Sequence, residues 1–122
     1  MLLTGATGFV GQWVLRELLL RGHAVTALVR AGNSQTGEQR LRRIMQESGW
    51  PGEWNAAVRV VEGSLPHGLP RAADVKICDR LIHSGAALNF HRDQRGEPFR
   101  TNLEGTMQLG KLARDCRMSN FL

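Results

Sequence analysis

Residues 4–11 read TGATGFVG, and no other stretch restricts the fold of this chain as strongly. Gly5, Gly8 and Gly11 stand three apart, after the short apolar run Met1–Thr4. From Phe9 to Arg21 the apolar residues Val10, Trp13, Val14 and Leu18 recur at helical spacing, which predicts a helix opening on the glycines. A strand, a glycine turn and a helix start, in that order, have a physical use. The helix end carries free N–H groups and about half a positive charge, so it receives an anion. Gly5 lets the chain leave the strand through a tight turn, Gly8 keeps side-chain bulk away from an approaching phosphate, and Gly11 lets the helix lie close to the strand. The spacing is G-x-x-G-x-x-G rather than the more familiar G-x-G-x-x-G, and Gln12 stands where a P-loop would carry lysine. A glycine turn can serve mere chain reversal. The strand before it, the helix it opens and the second strand beyond favour a pyrophosphate site.

The remaining pattern continues the alternation. Gly22 suits a left-handed helix cap, AVTALV (24–29) reads as a buried strand, and 31–37 as loop. A second helix is expected from about Glu38 to Ser48, with Leu41, Ile44 and Met45 on one side, ended by Gly49, Pro51 and Gly52. VRVVE (58–62) is a third strand, 72–79 a short helix or turn, RLIH (80–83) a fourth strand, and SGAALNF (84–90) the loop at its end. Pro98 suits the first turn of a long helix from Phe99 to Arg117, and Asn120–Leu122 begin a fifth strand. Leu18–Leu20 belong to the core. Such alternation implies parallel strands joined by right-handed crossovers. The expected fold is α/β: one Rossmann-type doubly wound sheet over residues 1–122, incomplete at about four to five strands, in the order 3-2-1-4. An incomplete sheet leaves the fourth strand as an apolar edge, which favours association.

The end of the second strand bears on which dinucleotide fits. An acid there would bind a ribose 2′-hydroxyl, whereas an arginine takes a 2′-phosphate. The chain has Val29–Arg30–Ala31, with no Asp or Glu between Glu17 and Glu38, so NADP(H) is expected in preference to NAD(H). Arg40 on the next helix is a candidate second phosphate contact.

Composition excludes several other classes. The net charge is +5, but the arginines are scattered apart from Arg40, Arg42 and Arg43, and no aromatics alternate with them, so nucleic acid is not an expected partner. No apolar run is long enough to span a bilayer, and no leader is evident. Cys78 and Cys116 have neither metal nor redox spacing, and the four histidines are dispersed. A reduced, cytoplasmic protein with two half-buried thiols and no metal site is expected.

TGATGFVG, VTALVRA, VRVVEG, HSGAALNF and NLEGT, in this order, resemble the extended short-chain dehydrogenase/reductase superfamily. Within it the chain is most similar to the thioester reductase and fatty acyl-CoA reductase branch. Trp50 and Trp54 after a long second helix, and Asn89, favour that branch over nucleotide-sugar epimerases. The resemblance implies that Thr4, Gly5, Thr7, Gly8, Phe9, Val10 and Gly11 form the pyrophosphate turn and that Arg30 holds the 2′-phosphate. Ser84, Gly85 and Ala86 would pass the cofactor ribose, with Asn102 on the helix behind, sharing a face with Thr106 and Ala113. Where the family has Gly-Asp after the third strand to contact adenine, this chain has Gly63–Ser64, followed by Leu65.

Family chemistry is hydride transfer from NADPH to a thioester carbonyl, with a Tyr-x-x-x-Lys pair giving the proton. The chain has no tyrosine, and its lysines, Lys76 and Lys111, are in no such motif. The resemblance therefore implies the N-terminal, cofactor-binding portion of a reductase. Its substrate would be an acyl group on a phosphopantetheine carrier or on CoA, engaged through regions not in this chain. Alternatives are a non-catalytic NADP(H)-binding or sensing module and a fragment of a nucleotide-sugar epimerase or dehydratase. Ser84, His83 and His91 are expected to be loop or strand-end residues rather than a nucleophile or replacement acids.

Overall fold

Two short segments with apolar residues on both faces make the centre of the sheet: β1 (Leu2–Thr4) and β2 (Val25–Val29), buried along their whole length. That is the pattern of parallel strands covered on both sides. The computed structural model describes residues 1–88, 91, 93, 94 and 96–122. Asn89 and Phe90, part of the loop motif, lie outside the described residues. With β3 (Val58–Glu62), β4 (Arg80–His83) and β5 (Asn120–Phe121), the strands form one parallel sheet in the order β3-β2-β1-β4-β5. The expected 3-2-1-4 order holds, and β5 extends it. The fourth strand is thus not the edge: Arg80 and Leu81 pair with Asn120 and Phe121.

Helices cover both faces. On one side α1 (Phe9–Leu20) and α2 (Gly37–Glu47) pack Leu15, Leu18, Leu19, Leu41 and Met45 over Leu3, Val25, Ala27 and Val29. On the other, α3 (Ala72–Val75) and α4 (Gly105–Asp115) pack Val75, Leu109 and Ala113 over Leu2, Leu28 and Leu81. Each fully buried leucine contributes roughly 2 kcal/mol of apolar burial. Among the described residues no helix is long and apolar enough to cross a membrane.

Several local expectations are corrected. Val10 and Trp13 do not face the core; they are 60% and 59% exposed. The buried stripe is Gly11, Leu15, Leu18 and Leu19. A Cβ on Gly11 would lie 1.9 Å from the Gly5 carbonyl oxygen, so the glycine face must turn inward, and that rotation carries Val10, Trp13 and Leu20 outward. The long helix expected from Phe99 is not uniform: Arg100–Glu104 form a π-helical turn ahead of α4. Glu97 satisfies this end by accepting from the Thr101 backbone N–H and hydroxyl. Gly52–Ala57, which carries no helical periodicity, forms a 3-10 turn, with the Trp50 and Trp54 rings edge-to-face at 5.9 Å. Cys78 is fully buried rather than half-buried, and Cys116 is partly so; both are free thiols.

Candidate functional site

The strand order brings four loops to the carboxyl end of the sheet: the glycine turn after β1, Arg30 after β2, Gly63–Ser64 after β3 and Ser84–Ala86 after β4. In open α/β sheets ligands bind outside these strand ends.

The glycine turn is shaped by two close approaches. Gly5 has φ +78°, and a Cβ there would sit 2.6 Å from the Gly85 nitrogen and the Ser84 carbonyl carbon. Gly5 therefore serves the turn and also admits the β4 loop alongside. Gly8 differs: among the described residues its Cβ would meet only the Gly5 carbonyl oxygen, at 3.3 Å, with nothing else within 4 Å. Gly8 is the N-cap of α1, and no side chain caps that helix end. No acid lies in its first turn. Gln12 steadies the turn by donating to the Thr7 carbonyl at 3.2 Å. The first-turn donors beside Gly8, framed by half-buried Thr7 and exposed Phe9 and Val10, fit a pyrophosphate.

α2 has a different end. The Thr36 hydroxyl accepts from Gln39 N–H, Gln39 reciprocates to Thr36 N–H, and a Glu62 carboxylate oxygen accepts from Gly37 N–H at 2.6 Å. With a carboxylate already on that helix end, a 2′-phosphate near β2 depends on side-chain cations. Arg30 is exposed at the strand end, and the Arg40 guanidinium reaches back to donate to the Arg30 carbonyl at 3.3 Å. The two expected phosphate contacts are thus adjacent. Glu62 was not recognisable from sequence, since it acts on a residue 25 positions away.

Five other expected contact residues turn toward protein. Thr4 is buried; its hydroxyl lies 2.6 Å from His83 Nδ1 and accepts from Gly85 N–H at 3.4 Å. Ser84 donates both its N–H and its hydroxyl to the Thr4 carbonyl, so it locks the β4 loop to β1 and is not poised as a nucleophile. The Ser64 hydroxyl donates to the His67 carbonyl at 2.6 Å, closing the loop after β3, while Leu65 packs on Gly105. Asn102 accepts from Ala87 N–H at 2.8 Å and donates to the Ala87 carbonyl at 3.0 Å. It holds the β4 loop in the way a neighbouring strand would. Ala86, beside it, is exposed.

His83 connects these parts. Its Nε2 is 3.0 Å from the Thr106 hydroxyl, which donates to the Asn102 carbonyl at 2.6 Å. Its ring stacks on Phe121 at 6.4 Å, and burial pushes its pKa below the ordinary histidine value. His91 is exposed. Among the described residues no cluster of His, Cys, Asp or Glu is arranged to hold a metal ion.

Comparison with known proteins agrees with this geometry. The family model described as "Male sterility protein" matches residues 3–122. The chain is 33% identical to the L-2-aminoadipate reductase large subunit of Penicillium chrysogenum, over 98% of this chain and 9% of that protein. The terminal R domain from the myxalamid PKS-NRPS biosynthetic pathway superposes with a TM-score of 0.82 at 29% identity, over 98% of this chain and 32% of that one. A thiolation-reductase di-domain from an archaeal non-ribosomal peptide synthetase shares the fold, with a TM-score of 0.79 at 24% identity over 98% of this chain and 33% of that one. The chain therefore spans a small part of the curated relative and about a third of each solved one.

Proposed function

The chain belongs to the male sterility protein family of NAD-binding domains, and from that membership we propose that it is the NADP(H)-binding portion of a reductase acting on a carrier- or CoA-bound acyl thioester. In its coarser form, an NAD(P)-binding reductase module, the assignment follows from the family and its reductase relatives. The observation that carries the finer reading is the start of α1, where no side chain caps the helix and Gly8 leaves room for a phosphate.

NADP(H) is preferred over NAD(H) because Arg30 and Arg40 are adjacent at the end of β2, while the carboxylates of Glu62 and Glu38 are engaged by Gly37 and Arg42. When bound, the cofactor would supply hydride to the thioester carbonyl; the C–S bond would break, releasing the carrier or CoA thiol and an aldehyde, which a second hydride would take to an alcohol. The residues of this chain bind and orient the dinucleotide: the α1 turn holds the pyrophosphate, and the Ser84–Ala86 loop, fixed to β1 and Asn102, passes the ribose. No tyrosine is present among the 122 residues, so the family's Tyr-x-x-x-Lys proton donor is not supplied by them. The thiolation-reductase di-domain supports a phosphopantetheine carrier as the partner presenting the acyl group. The lack of tyrosine also favours a second reading, a module that binds NADP(H) without chemistry.

Titration with NADPH and NADH tests the binding claim. Arg30→Ala should weaken NADPH about tenfold or more, the scale of a lost charge-assisted hydrogen bond, and leave NADH unaffected. Unchanged NADPH affinity would remove Arg30 from the 2′-phosphate site, and no binding of either dinucleotide would defeat the reading as a whole.

A further inference from the structure

One half-buried imidazole joins three elements through a directed series of hydrogen bonds, and the direction of each is set by its neighbours. At one end, the Asn102 carbonyl only accepts, so the Thr106 hydroxyl gives its proton there and has lone pairs left for His83. Nε2 of His83, 3.0 Å away, must then be the donor. At the other end, Thr4 Oγ1 accepts from Gly85 N–H, which leaves its own proton for Nδ1 of His83, 2.6 Å away. Every group in the series is satisfied by one tautomer, with the proton on Nε2 and Nδ1 bare. A second proton on the ring would turn Nδ1 into a donor, so the buried Thr4 hydroxyl would have to swing round to accept from it and its own proton would lose the imidazole acceptor.

The groups joined in this way are those that shape the cofactor cradle. Thr4 leads directly into Gly5. Gly85 lies against Gly5, and Asn102 holds Ala87 two residues further along the same loop. The ring is faced by Thr4 from β1, Thr106 from α4 and Phe121 from β5, and burial is what lowers its pKa among the described residues.

We propose that His83, as the neutral Nε2–H tautomer, is a positioning residue that sets the glycine turn and the β4 loop at the spacing the dinucleotide requires. This rests on the NADP(H) reading above. Protonation then loosens the relay, so cofactor affinity falls with pH as the ring charges.

The test pairs a measurement on the free chain with one on cofactor binding. Ring 15N shifts of His83 should report a proton on Nε2 alone at neutral pH. NADPH titrations from pH 8 to 5 should show affinity falling as the same ring titrates. His83→Gln, which keeps an acceptor and a donor but cannot charge, should bind NADPH within a few-fold of wild type and lose that pH dependence. Thr106→Val, which removes the Nε2–H partner and leaves the ring in place, should weaken NADPH about tenfold, the scale of one unmade, partly buried hydrogen bond. A proton on Nδ1, or an identical pH profile in His83→Gln, overturns the proposal while leaving NADPH binding intact. Loss of NADPH binding at every pH in the wild type overturns the cofactor reading and the coupling with it.

Discussion

Gly8 and Gly11 differ in what a methyl group would meet, and the difference separates folding from binding. At Gly11 a Cβ would overlap the Gly5 carbonyl, 1.9 Å away, and its nearest neighbours are all backbone atoms of Gly5 and Ala6, with no flexible group to yield. Gly11→Ala should therefore destabilise the chain by on the order of 3–5 kcal/mol, read as lost structure in a thermal melt. At Gly8 the single neighbour lies at 3.3 Å, so Gly8→Ala should shift the melt little and weaken NADPH instead. Equal losses of stability in the two variants would refute the distinction. His83 gives a pH prediction of definite sign. Burial lowers its folded-state pKa beneath the unfolded value of about 6.5, so the unfolded chain binds the proton more readily. Its contribution is complete above that value and is lost as pH falls through the folded pKa. Denaturant melts at pH 7.5 and 5.5 should show lower stability at the acid end, by a margin reduced in His83→Gln. At this scale the glycines were legible because a turn's backbone demands are local. The partners of Thr4, Ser84 and Asn102 were not, since they lie 15 to 81 positions away.

Helix ends in this molecule divide by how they are satisfied. α2 begins with a reciprocal Thr36–Gln39 cap and the Glu62 carboxylate, and the π turn before α4 leans on Glu97, whereas α1 begins with a bare glycine. Thr36→Ala should cost about 1 kcal/mol of stability, measured by denaturant melts, with cofactor affinity retained. An equal fall in NADPH affinity would mean that α2 contributes more to the site than its capped end suggests. Element boundaries were largely readable: α2 begins and ends within one residue of expectation, and α1 begins on Phe9. The inward face of α1 was not readable, because periodicity gives the repeat of a stripe but not which of two apolar stripes turns in. Gly11 was the signal that decides it. Likewise nothing in residues 99–117 announces that the first turn is widened to π spacing, where Asn102 is tied to Ala87.

At the scale of the molecule, the crossover rule and the strand count yielded the sheet order, because right-handed connections leave few alternatives. What covers the outer surfaces was less legible. Phe99, Leu103 and Met107 follow one another at intervals of four and stay exposed, and the two-residue strand β5 carries exposed Phe121. A chain with this surface should self-associate, seen as a sedimentation coefficient that rises with concentration and responds to Leu103→Glu. A single concentration-independent monomer would contradict that.

The tryptophans belong to one layer only. Trp13 lies on α1, and Trp50 and Trp54 pack on the core beneath α1 and α2, while the layer formed by α3 and α4 has none. Indole emission is therefore a one-sided witness. It registers events at the mouth of α1 and the loosening of its own layer, and it stays dark to fraying around Leu109 and Val75, which backbone dichroism alone would record.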